Sequence, residues 1–395
     1  MSTDRTRRFV LPGIQDLNKD QDAALALPEG GQHLVIGGPG TGKSVVTLLR
    51  ARRLLNAKMG FRFLVYNRLL ATSNRYLFGS EEITVSTWDQ WFRKLWENRF
   101  KSGVPCLSAL DNSTYRPIDW GAATQWLNER ADAIPPLKDS PTIVIDEGQD
   151  MPPAFYNALA QIGFENFYVA ADQNQQIHPD KCSSRQDIEN ALATETSATL
   201  ELTRNYRNTR PIAMLARHFY PDDPASPRPD LPAASASAMR PEMWVYGNGR
   251  TLNLAGLAGR TLQLSDRNPR KLIGIITPDN ATREKFCEAL RAAHPPLDND
   301  APPIQTYANG HDAALRFDQG GVMIINAQSC KGLEFDTVIL ADIDSHRPAQ
   351  ADILKARFYV MVSRARDQVI LLRTGPASPV VDAMLPTDPA VLARG

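Results

Sequence analysis

The sequence of 395 residues lacks long apolar runs and closely spaced cysteines. No stretch approaches the roughly 18 apolar residues that a membrane-spanning helix needs, and the opening MSTDRTRRF leads into polar sequence rather than into the apolar core of a signal peptide. The cysteines form no CxxC pair and have no histidine at ligand spacing, so neither a disulfide framework nor a zinc site is predicted for Cys106, Cys182, Cys287 and Cys330. These absences predict a cytoplasmic protein with reduced thiols and no membrane partner.

An excess of charge of either sign is also missing, because 44 Lys and Arg residues are balanced by 44 Asp and Glu residues. The field of the whole molecule therefore gives no support for nucleic-acid binding, which would have to use a local channel. The basic candidates for such a channel lie on one predicted helix and after it: Arg50, Arg52, Arg53, Lys58, Arg62, Arg68 and Arg75. A solvated helix face explains each of these residues equally well.

Short aliphatic and β-branched runs alternate along the chain with longer amphipathic stretches, a pattern typical of βα units that build parallel sheets. The predicted strands are 33–37, 61–66, 142–146, 167–171, 199–202, 271–277, 321–326, 337–341 and 368–372. These are too many for one compact sheet, so we predict an α/β protein of two domains. A Pro-, Ala- and Ser-rich stretch at about 221–242 has the composition of an extended loop.

The strongest signal is HLVIGGPGTGKS at 33–44, in which a strand, a glycine-rich loop and a helix start follow one another. Residues 37–44 match GxxxxGK[ST], the pattern of a phosphate-binding loop, and a chance glycine turn is the alternative. Without Cβ atoms, the loop glycines let backbone N–H groups turn onto phosphate oxygens at the positive end of the next helix. Lys43 would reach the β- and γ-phosphates and Ser44 a Mg²⁺ ion. The predicted nucleotide-binding residues of the loop are Gly38, Gly40, Thr41, Gly42, Lys43 and Ser44.

A second part of a nucleotide site follows a buried strand in PTIVIDEGQD at 141–150. Asp146 lies at the predicted strand tip, where it would be a Mg²⁺ ligand. Glu147 is the candidate general base, since hydrolysis of a phosphoanhydride needs a group that orients the attacking water. The alternative is that the two acids only cap the helix that starts near Pro152 and Pro153.

With these motifs the chain resembles the UvrD/Rep-like helicases of superfamily 1, and the resemblance continues in order over about 17–372. DEGQD is one residue from the family's DEAQD. LNKDQ ends in Gln21, at the position of the family's adenine-reading glutamine. VAADQNQQIH holds Gln175, at the position of the glutamine that senses the γ-phosphate.

The second half of the chain supplies the remaining motifs of this resemblance. LTRNYR contains Tyr206, in the family an adenine-stacking residue, and Arg207, in the family a γ-phosphate arginine. KGLEF contains Glu334, which would hold the ribose, and SRAR contains Arg364, at the position of the arginine of the family's TRA motif.

The resemblance implies two RecA-like P-loop NTPase lobes, each a mostly parallel sheet flanked by helices, with an ATP cleft between them and Mg²⁺ as the cofactor. Arg207 and Arg364 are useful only if they reach the γ-phosphate across this cleft, where charge spreads in the transition state. We therefore predict a first lobe over 1–196, with a short insertion at about 100–140, and a second lobe over 197–395.

The positions at which the family touches single-stranded DNA follow predicted strand tips in both lobes. They are Tyr66, Asn67, Arg68, Thr87, Trp88, Asn326 and Gln328. Trp88 has an alternative role, because it shares helical spacing with Phe92 and Trp96 and would then belong to the core.

The function that the resemblance implies is ATP-dependent movement along single-stranded DNA, as a helicase or translocase. RNA is an alternative track, because base stacking serves both polymers. A hypothesis from another class is an ATP switch that controls a protein partner such as a nuclease, favoured by the neutral charge and by the lack of room for the family's large helical insertions. A small-molecule kinase fits poorly, since it would need neither the second-lobe arginine nor the KGLEF segment.

Overall fold

Two parallel sheets form the framework of the protein. The computed structural model describes residues 3–7, 11–78, 83–109, 114–137, 139–176, 182–247, 250–307, 315–346, 351–374 and 378–394. The first sheet has six strands in the order β3-β2-β4-β5-β1-β6, and the second has seven in the order β13-β7-β12-β11-β8-β10-β9. All strand pairs within both sheets are parallel, so the predicted α/β fold class of two sheet-and-helix lobes is confirmed.

The first lobe is built from β1 to β6 and from seven helices among the described residues. Its strands are β1 Gln32–Gly37, β2 Phe61–Val65, β3 Val85–Thr87, β4 Thr142–Ile145, β5 Phe167–Ala171 and β6 Leu200–Leu202. Its helices are α1 Lys19–Ala26, α2 Lys43–Asn56, α3 Arg68–Phe78, α4 Trp88–Phe100, α5 Trp120–Glu129, α6 Pro153–Ile162 and α7 Arg185–Ala191. Both faces of the sheet are covered, because successive residues of β1 enter different cores: Leu34 and Ile36 one, Val35 the other.

The second lobe repeats this architecture. Its strands are β7 Glu242–Tyr246, β8 Leu272–Thr277, β9 Ile304–Thr306, β10 Gly321–Asn326, β11 Phe335–Leu340, β12 Ala365–Thr374 and β13 Ala393–Arg394. Its helices are α8 Arg210–His218, α9 Leu254–Arg267, α10 Asn280–Ala292, α11 Ala351–Val362 and α12 Pro379–Met384. Met323 and Ile325 of β10 face one core while Val322 and Ile324 face the other, so this sheet is also buried on both sides.

Two segments lie in a different lobe from the one predicted. Strand β6 was assigned to a second lobe starting at 197, but it pairs with β1 of the first sheet, through Val35 opposite Leu200. Sheet membership therefore puts the change of lobe after Leu202 and before α8. At the other end, residues 3–7 pack on the second lobe, where Thr6 forms an antiparallel bridge with Gln319. Sequence patterns missed both placements because they depend on pairing between distant parts of the chain.

The predicted insertion at about 100–140 packs on the first lobe instead of projecting from it. Cys106 and Ile118 form a short antiparallel bridge, and α5 packs on α6. The Pro-rich stretch from 221 to 241 contains neither helix nor strand, as its composition predicts. Among the described residues, no helix has both the length and the apolar character to cross a membrane.

An aromatic cluster joins α4 to the insertion, with Trp96 at its centre. The Trp96 ring is fully buried, and its centroid lies 4.9 Å from that of Phe100 and 5.1 Å from that of Trp126. We expect Trp96→Ala to lower the free energy of unfolding by about 3–5 kcal/mol, because it leaves a large cavity among rings that cannot collapse into it. Urea unfolding followed by circular dichroism would measure this.

The matched control is Leu107→Ala, since Leu107 is half exposed in the same insertion. This variant should change the free energy of unfolding by no more than about 0.5 kcal/mol. A loss for Trp96→Ala as small as that of the control would show that the aromatic cluster does not hold the insertion on the lobe.

Candidate nucleotide site

The predicted phosphate-binding loop connects β1 to α2, and its conformation depends on glycine at two positions. Gly40 has φ +76° and Gly42 has φ +90°, a left-handed region that residues with a Cβ rarely adopt. Space is also lacking, since a Cβ on Gly40 would lie 2.3 Å from Asn205 Oδ1 and one on Gly42 would lie 2.2 Å from Gln21 Nε2. The loop is therefore packed against both α1 and the segment that follows β6.

Lys43, the first residue of α2, is buried with its amine folded over the loop. Its Nζ donates to Gly37 O at 2.6 Å and to Gly38 O at 3.0 Å, and it lies 3.7 Å from Asp172 Oδ2. Thr41 is fully buried and does not line the cavity; its hydroxyl donates to Gly38 O at 2.8 Å and braces the loop.

The two acids after β4, Asp146 and Glu147, have pKa values shifted in opposite directions. Burial, and then the charge of Glu147, raise the pKa of Asp146 to about 7. Burial also acts to raise the pKa of Glu147, but Lys331 and Lys43 outweigh it and lower that pKa to about 2. Glu147 is therefore ionised at neutral pH, as a general base must be. Its backbone is left-handed, with φ 57°, and Gln149 Nε2 donates to its Oε2 at 2.7 Å.

The residues around Asp146 fit a divalent cation. Asp146 Oδ2 is buried and has no hydrogen-bond partner among the described residues, and the nearby Ser44 side chain acts to lower the pKa of Asp146. A buried carboxylate oxygen without a partner is costly unless a cation or a water completes its environment. Carboxylate and hydroxyl oxygens are the ligands that Mg²⁺ prefers, so Asp146 and Ser44 could hold it.

Arginines and a glutamate meet at the side of the site that faces the second lobe, where Arg207 reaches across from the segment that packs on Gly40. Arg207, in the segment between the lobes, donates from Nε to Glu334 Oε1 at 2.9 Å. Arg364, just before β12, is buried and donates from Nη2 to Gln175 Oε1. Gln175 in turn donates from Nε2 to Asp172 Oδ2 at 2.6 Å, so hydrogen bonds connect Arg364 to the acid beside Lys43.

Between these two walls lies a cavity of about 320 Å³, within the usual size of ligand sites. Twelve of the predicted nucleotide-site residues line it: Gln21, Gly38, Gly40, Gly42, Lys43, Ser44, Glu147, Gln175, Tyr206, Arg207, Glu334 and Arg364. Asp146, like Thr41, lies behind the wall. The structure thus brings together a set of residues that spans 344 positions of the sequence, from 21 to 364.

Gln21 and Tyr206 occupy the end of the cavity near α1. Asn18 caps α1 by accepting from Gln21 N, and Gln21 Oε1 accepts from Asn18 N at 3.1 Å, a reciprocal capping box that fixes the glutamine side chain. Gln21 Nε2 also donates to Thr41 O at 2.9 Å. Tyr206 is 46% exposed, its hydroxyl accepts from Asn18 Nδ2 at 2.6 Å, and the guanidinium of Arg204 lies over its ring, 5.1 Å from the centroid.

Sequence reasoning missed several residues of this site. Asp172 is fully buried and contacts Lys43 and Gln175, yet no role was predicted for it from its position in VAADQNQQIH. Lys331 crosses between the lobes and donates from Nζ to Asp150 Oδ1 at 2.5 Å and to Gln175 O at 2.6 Å. A signal existed for Lys331, because it begins KGLEF, but a lysine is usually assigned to solvent.

The cavity wall also contains residues for which the sequence predicted no role. These are Leu11, Pro12, Asp16, Leu17, Ser73, Asn74, Leu77, Gly332 and Arg366. Arg366 lies two residues after Arg364 at the start of β12, so both arginines of SRAR reach the cavity.

The predicted nucleic-acid residues of the first lobe are only partly brought together. Arg68 and Thr87 line a second, open groove of about 270 Å³ with Arg75. Tyr66 is 38% exposed, whereas Asn67 Oδ1 accepts from Leu70 N at 2.8 Å at the start of α3. These residues lie after β2 and β3, which are neighbours at one edge of the sheet.

Other predicted nucleic-acid residues serve different contacts. Trp88 is partly buried and packs against the core, with its ring centroid 5.3 Å from that of Phe155, a contact that fits its alternative role. Arg50 is fully buried and donates to backbone carbonyls such as Leu27 O, which removes it from any exposed basic face. In the second lobe Asn326 donates to Asn280 Oδ1 at 2.9 Å, and Gln328 is exposed.

Comparison with known proteins gives one family match, which covers part of the second lobe. Residues 321–372 match the family model of the UvrD-like helicase C-terminal domain. The C-terminal domain of a possible DNA helicase from Lactobacillus plantarum WCFS1 is a solved structure that is 20% identical to the chain, with a TM-score of 0.33, covering 48% of this chain and 98% of that one. No curated protein sequence matches the chain. The resemblance to UvrD-like helicases is therefore confirmed where residues 321–372, which include Asn326, Gln328, Glu334 and Arg364, match the C-terminal domain of that family.

Proposed function

We propose that the protein is an ATP hydrolase of the helicase type, which binds Mg²⁺-ATP between its lobes and moves along single-stranded DNA. The observation that carries this proposal is the cavity between the lobes. A glycine loop and the acids that follow β4 approach it from one side, and Glu334 and Arg364 of the second lobe approach it from the other. Arg207 joins the two sides, because its segment packs on Gly40 and its guanidinium donates to Glu334. A site for a triphosphate alone would need only the first wall, so the guanidinium groups favour hydrolysis coupled to movement of the lobes.

The first lobe would bind the triphosphate and prepare the attacking water. Lys43 would exchange its bonds to Gly37 O and Gly38 O for phosphate oxygens. Asp146 and Ser44 would hold Mg²⁺, which supplies charge that neutralises the phosphate oxygens when it is bound. Glu147, kept ionised by nearby lysines, would orient and deprotonate the water.

The second wall would stabilise the charge that develops on the γ-phosphate. Arg364 and Arg207 would donate to its oxygens. Gln175 would connect Arg364 to the phosphate loop, because it accepts from Arg364 and donates to Asp172 beside Lys43. Because these contacts exist only with a triphosphate in place, ATP would favour the closed arrangement of the lobes and its hydrolysis would release it.

The track for single-stranded DNA would cross the strand tips that hold Tyr66, Arg68 and Thr87, and those of Asn326 and Gln328. Arg68 and Arg75 offer positive charge in the groove after β2 and β3, where a phosphate backbone would be held. Exposed Tyr66 is suited to stacking on a base.

An ATP switch that controls a protein partner such as a nuclease is the alternative. The packing of Trp88 into the core favours it, because that packing leaves one aromatic fewer on the track. The compact insertion favours it too, since duplex separation in the larger relatives uses inserted subdomains.

ATP turnover with and without single-stranded nucleic acid separates these functions. We expect a 30-nucleotide single strand of DNA to raise turnover severalfold, because binding along both lobes would favour closure. Arg68→Ala and Arg75→Ala should raise the DNA concentration needed for half-maximal stimulation of turnover, without changing turnover in the absence of DNA. Arg291→Ala, on the exposed face of α10, should change neither quantity. Equal turnover with and without DNA would contradict the motor and favour the switch, and a response to RNA alone would change the polymer.

A further inference from the structure

The first described residues of the chain are fixed to the second lobe. Thr6 bridges Gln319, Arg7 N donates to Asp318 O at 2.8 Å, and Gly320 N donates to Arg5 O at 2.8 Å. Farther out, Thr3 N donates to Asp300 Oδ2 at 2.9 Å. Residues 3–7, called the N-terminal strap below, thus add a short antiparallel segment to the second lobe, whereas the next described residues, from Leu11, pack in the core of the first lobe.

Arg7 ties this strap to the wall of the nucleotide cavity. It is only 5% exposed, and its guanidinium donates to Asp336 Oδ2 at 2.8 Å and to Glu334 O at 3.2 Å. Asp336 Oδ2 also accepts from Leu272 N at 2.8 Å, so the arginine is bound to the starts of β11 and β8 together. Glu334 is the cavity residue that holds Arg207, which places Arg7 directly behind the second wall of the site.

The strap connects to the opposite side of the cavity within a few residues. Leu11 is buried and lines the cavity with Pro12, and the chain then enters α1, whose Gln21 is bound to the phosphate loop. Only three residues separate Arg7 from Leu11 in the sequence. Four backbone steps span at most about 14 Å, so the separation of the two walls at this point is limited by the covalent chain as long as Arg7 stays bound.

We propose that Arg7 is a positioning residue of the nucleotide site, which holds the Glu334 segment of the second lobe close to the first lobe before nucleotide arrives. It touches neither nucleotide nor reacting atoms and acts through Glu334. Without Arg7, a smaller fraction of the molecules would hold the Glu334 segment against the cavity. The apparent affinity for nucleotide would fall in proportion to that binding-competent fraction. At saturating nucleotide, the contacts of Arg207 and Arg364 would restore closure.

The test is a comparison of Arg7→Met, which keeps the aliphatic stem, with Arg7→Lys and Arg270→Met. Binding of a fluorescent ATP analogue and ATP turnover are measured on the full chain. We expect Arg7→Met to raise the Kd and the KM about tenfold, because one charge-assisted contact that favours the closed arrangement is lost. The kcat should stay within twofold, because saturating nucleotide still closes the site. Arg7→Lys should recover part of the affinity.

Arg270→Met is the matched control, because the Arg270 pair with Asp4 of the same strap is largely exposed at both ends. Its Kd should stay within twofold of the unsubstituted chain. A merely structural role of Arg7 would lower the thermal midpoint and the active fraction without separating KM from kcat.

A covalent rescue completes the test. Thr6 and Gln319 are an antiparallel bridge pair, whose Cα atoms lie within the range that a disulfide spans. Adding Thr6→Cys and Gln319→Cys to Arg7→Met should restore nucleotide affinity in the oxidised protein and not in the reduced one.

The inference rests on the proposed function only in taking ATP as the ligand. If the unsubstituted chain binds no ATP, the proposed function fails together with this inference; if it binds ATP and Arg7→Met binds equally well, or the disulfide restores nothing, the positioning role alone is overturned.

Discussion

Glu147→Gln is expected to lower ATP turnover by a factor of about 10² to 10⁴ while ATP still binds. The substitution keeps the shape of a fully enclosed side chain and removes only its charge and its ability to accept a proton from water. Glu147 can act as a base because Lys331 and Lys43 overcome the effect of burial on its pKa. Its backbone is left-handed, with φ 57°, a conformation that costs free energy for a residue with a Cβ.

The measurement pairs steady-state turnover with the Kd for an ATP analogue. Glu165→Gln is the matched control, since Glu165 is an exposed residue of the same lobe between α6 and β5. We expect the Kd for both variants to stay within about threefold of the unsubstituted chain. Turnover of Glu147→Gln within threefold of the control would remove Glu147 as the base and leave Asp150 or a bound water network to be examined.

The predictable parts of this site are those whose residues lie close together in the sequence. The phosphate loop was recognisable because the left-handed backbone at Gly40 and Gly42 and the start of α2 at Lys43 leave a local pattern. Asp146 and Glu147 were recognisable as candidates for a nucleotide site because buried strands rarely end in two acids unless something uses them.

The parts that were not predictable depend on contacts between distant segments. Asp172 became part of the site through Lys43 and Gln175, and no spacing in the sequence connects the three. Trp88 has a helical spacing that fits a core position and a DNA contact equally, and its packing against Phe155 and Trp120 is visible only in the structure. Strands of two or three residues, such as β3 and β13, are too short to show a period.

Arg364→Ala is expected to lower turnover at saturating ATP by a factor of about 10³ or more, the effect attributed to one arginine that stabilises a transferring phosphoryl group. Burial, and then the charge of Arg207, lower the pKa of Arg364, but a guanidinium remains protonated in proteins. Its cost of burial is met by Gln175 Oε1 and by Val360 O, which accepts from Nε at 3.0 Å. In the proposed function, the guanidinium of Arg364 is thus already positioned before the reaction to interact with the negative charge that develops on the γ-phosphate oxygens.

Because Arg364 is buried, its loss could also destabilise the second lobe, so Arg364→Lys and a thermal unfolding curve accompany the alanine variant. Lysine keeps one positive charge without the planar pair of donors, and we expect it to recover stability but little turnover. Arg291→Ala on the exposed face of α10 is the control for loss of a surface arginine. The prediction requires the Kd for ATP to change by less than about threefold while turnover falls by three orders of magnitude, because a contact made only in the transition state affects the rate and not the binding. Equal losses in both quantities would make Arg364 a ground-state ligand, and the second lobe would then bind the nucleotide without helping to cleave it.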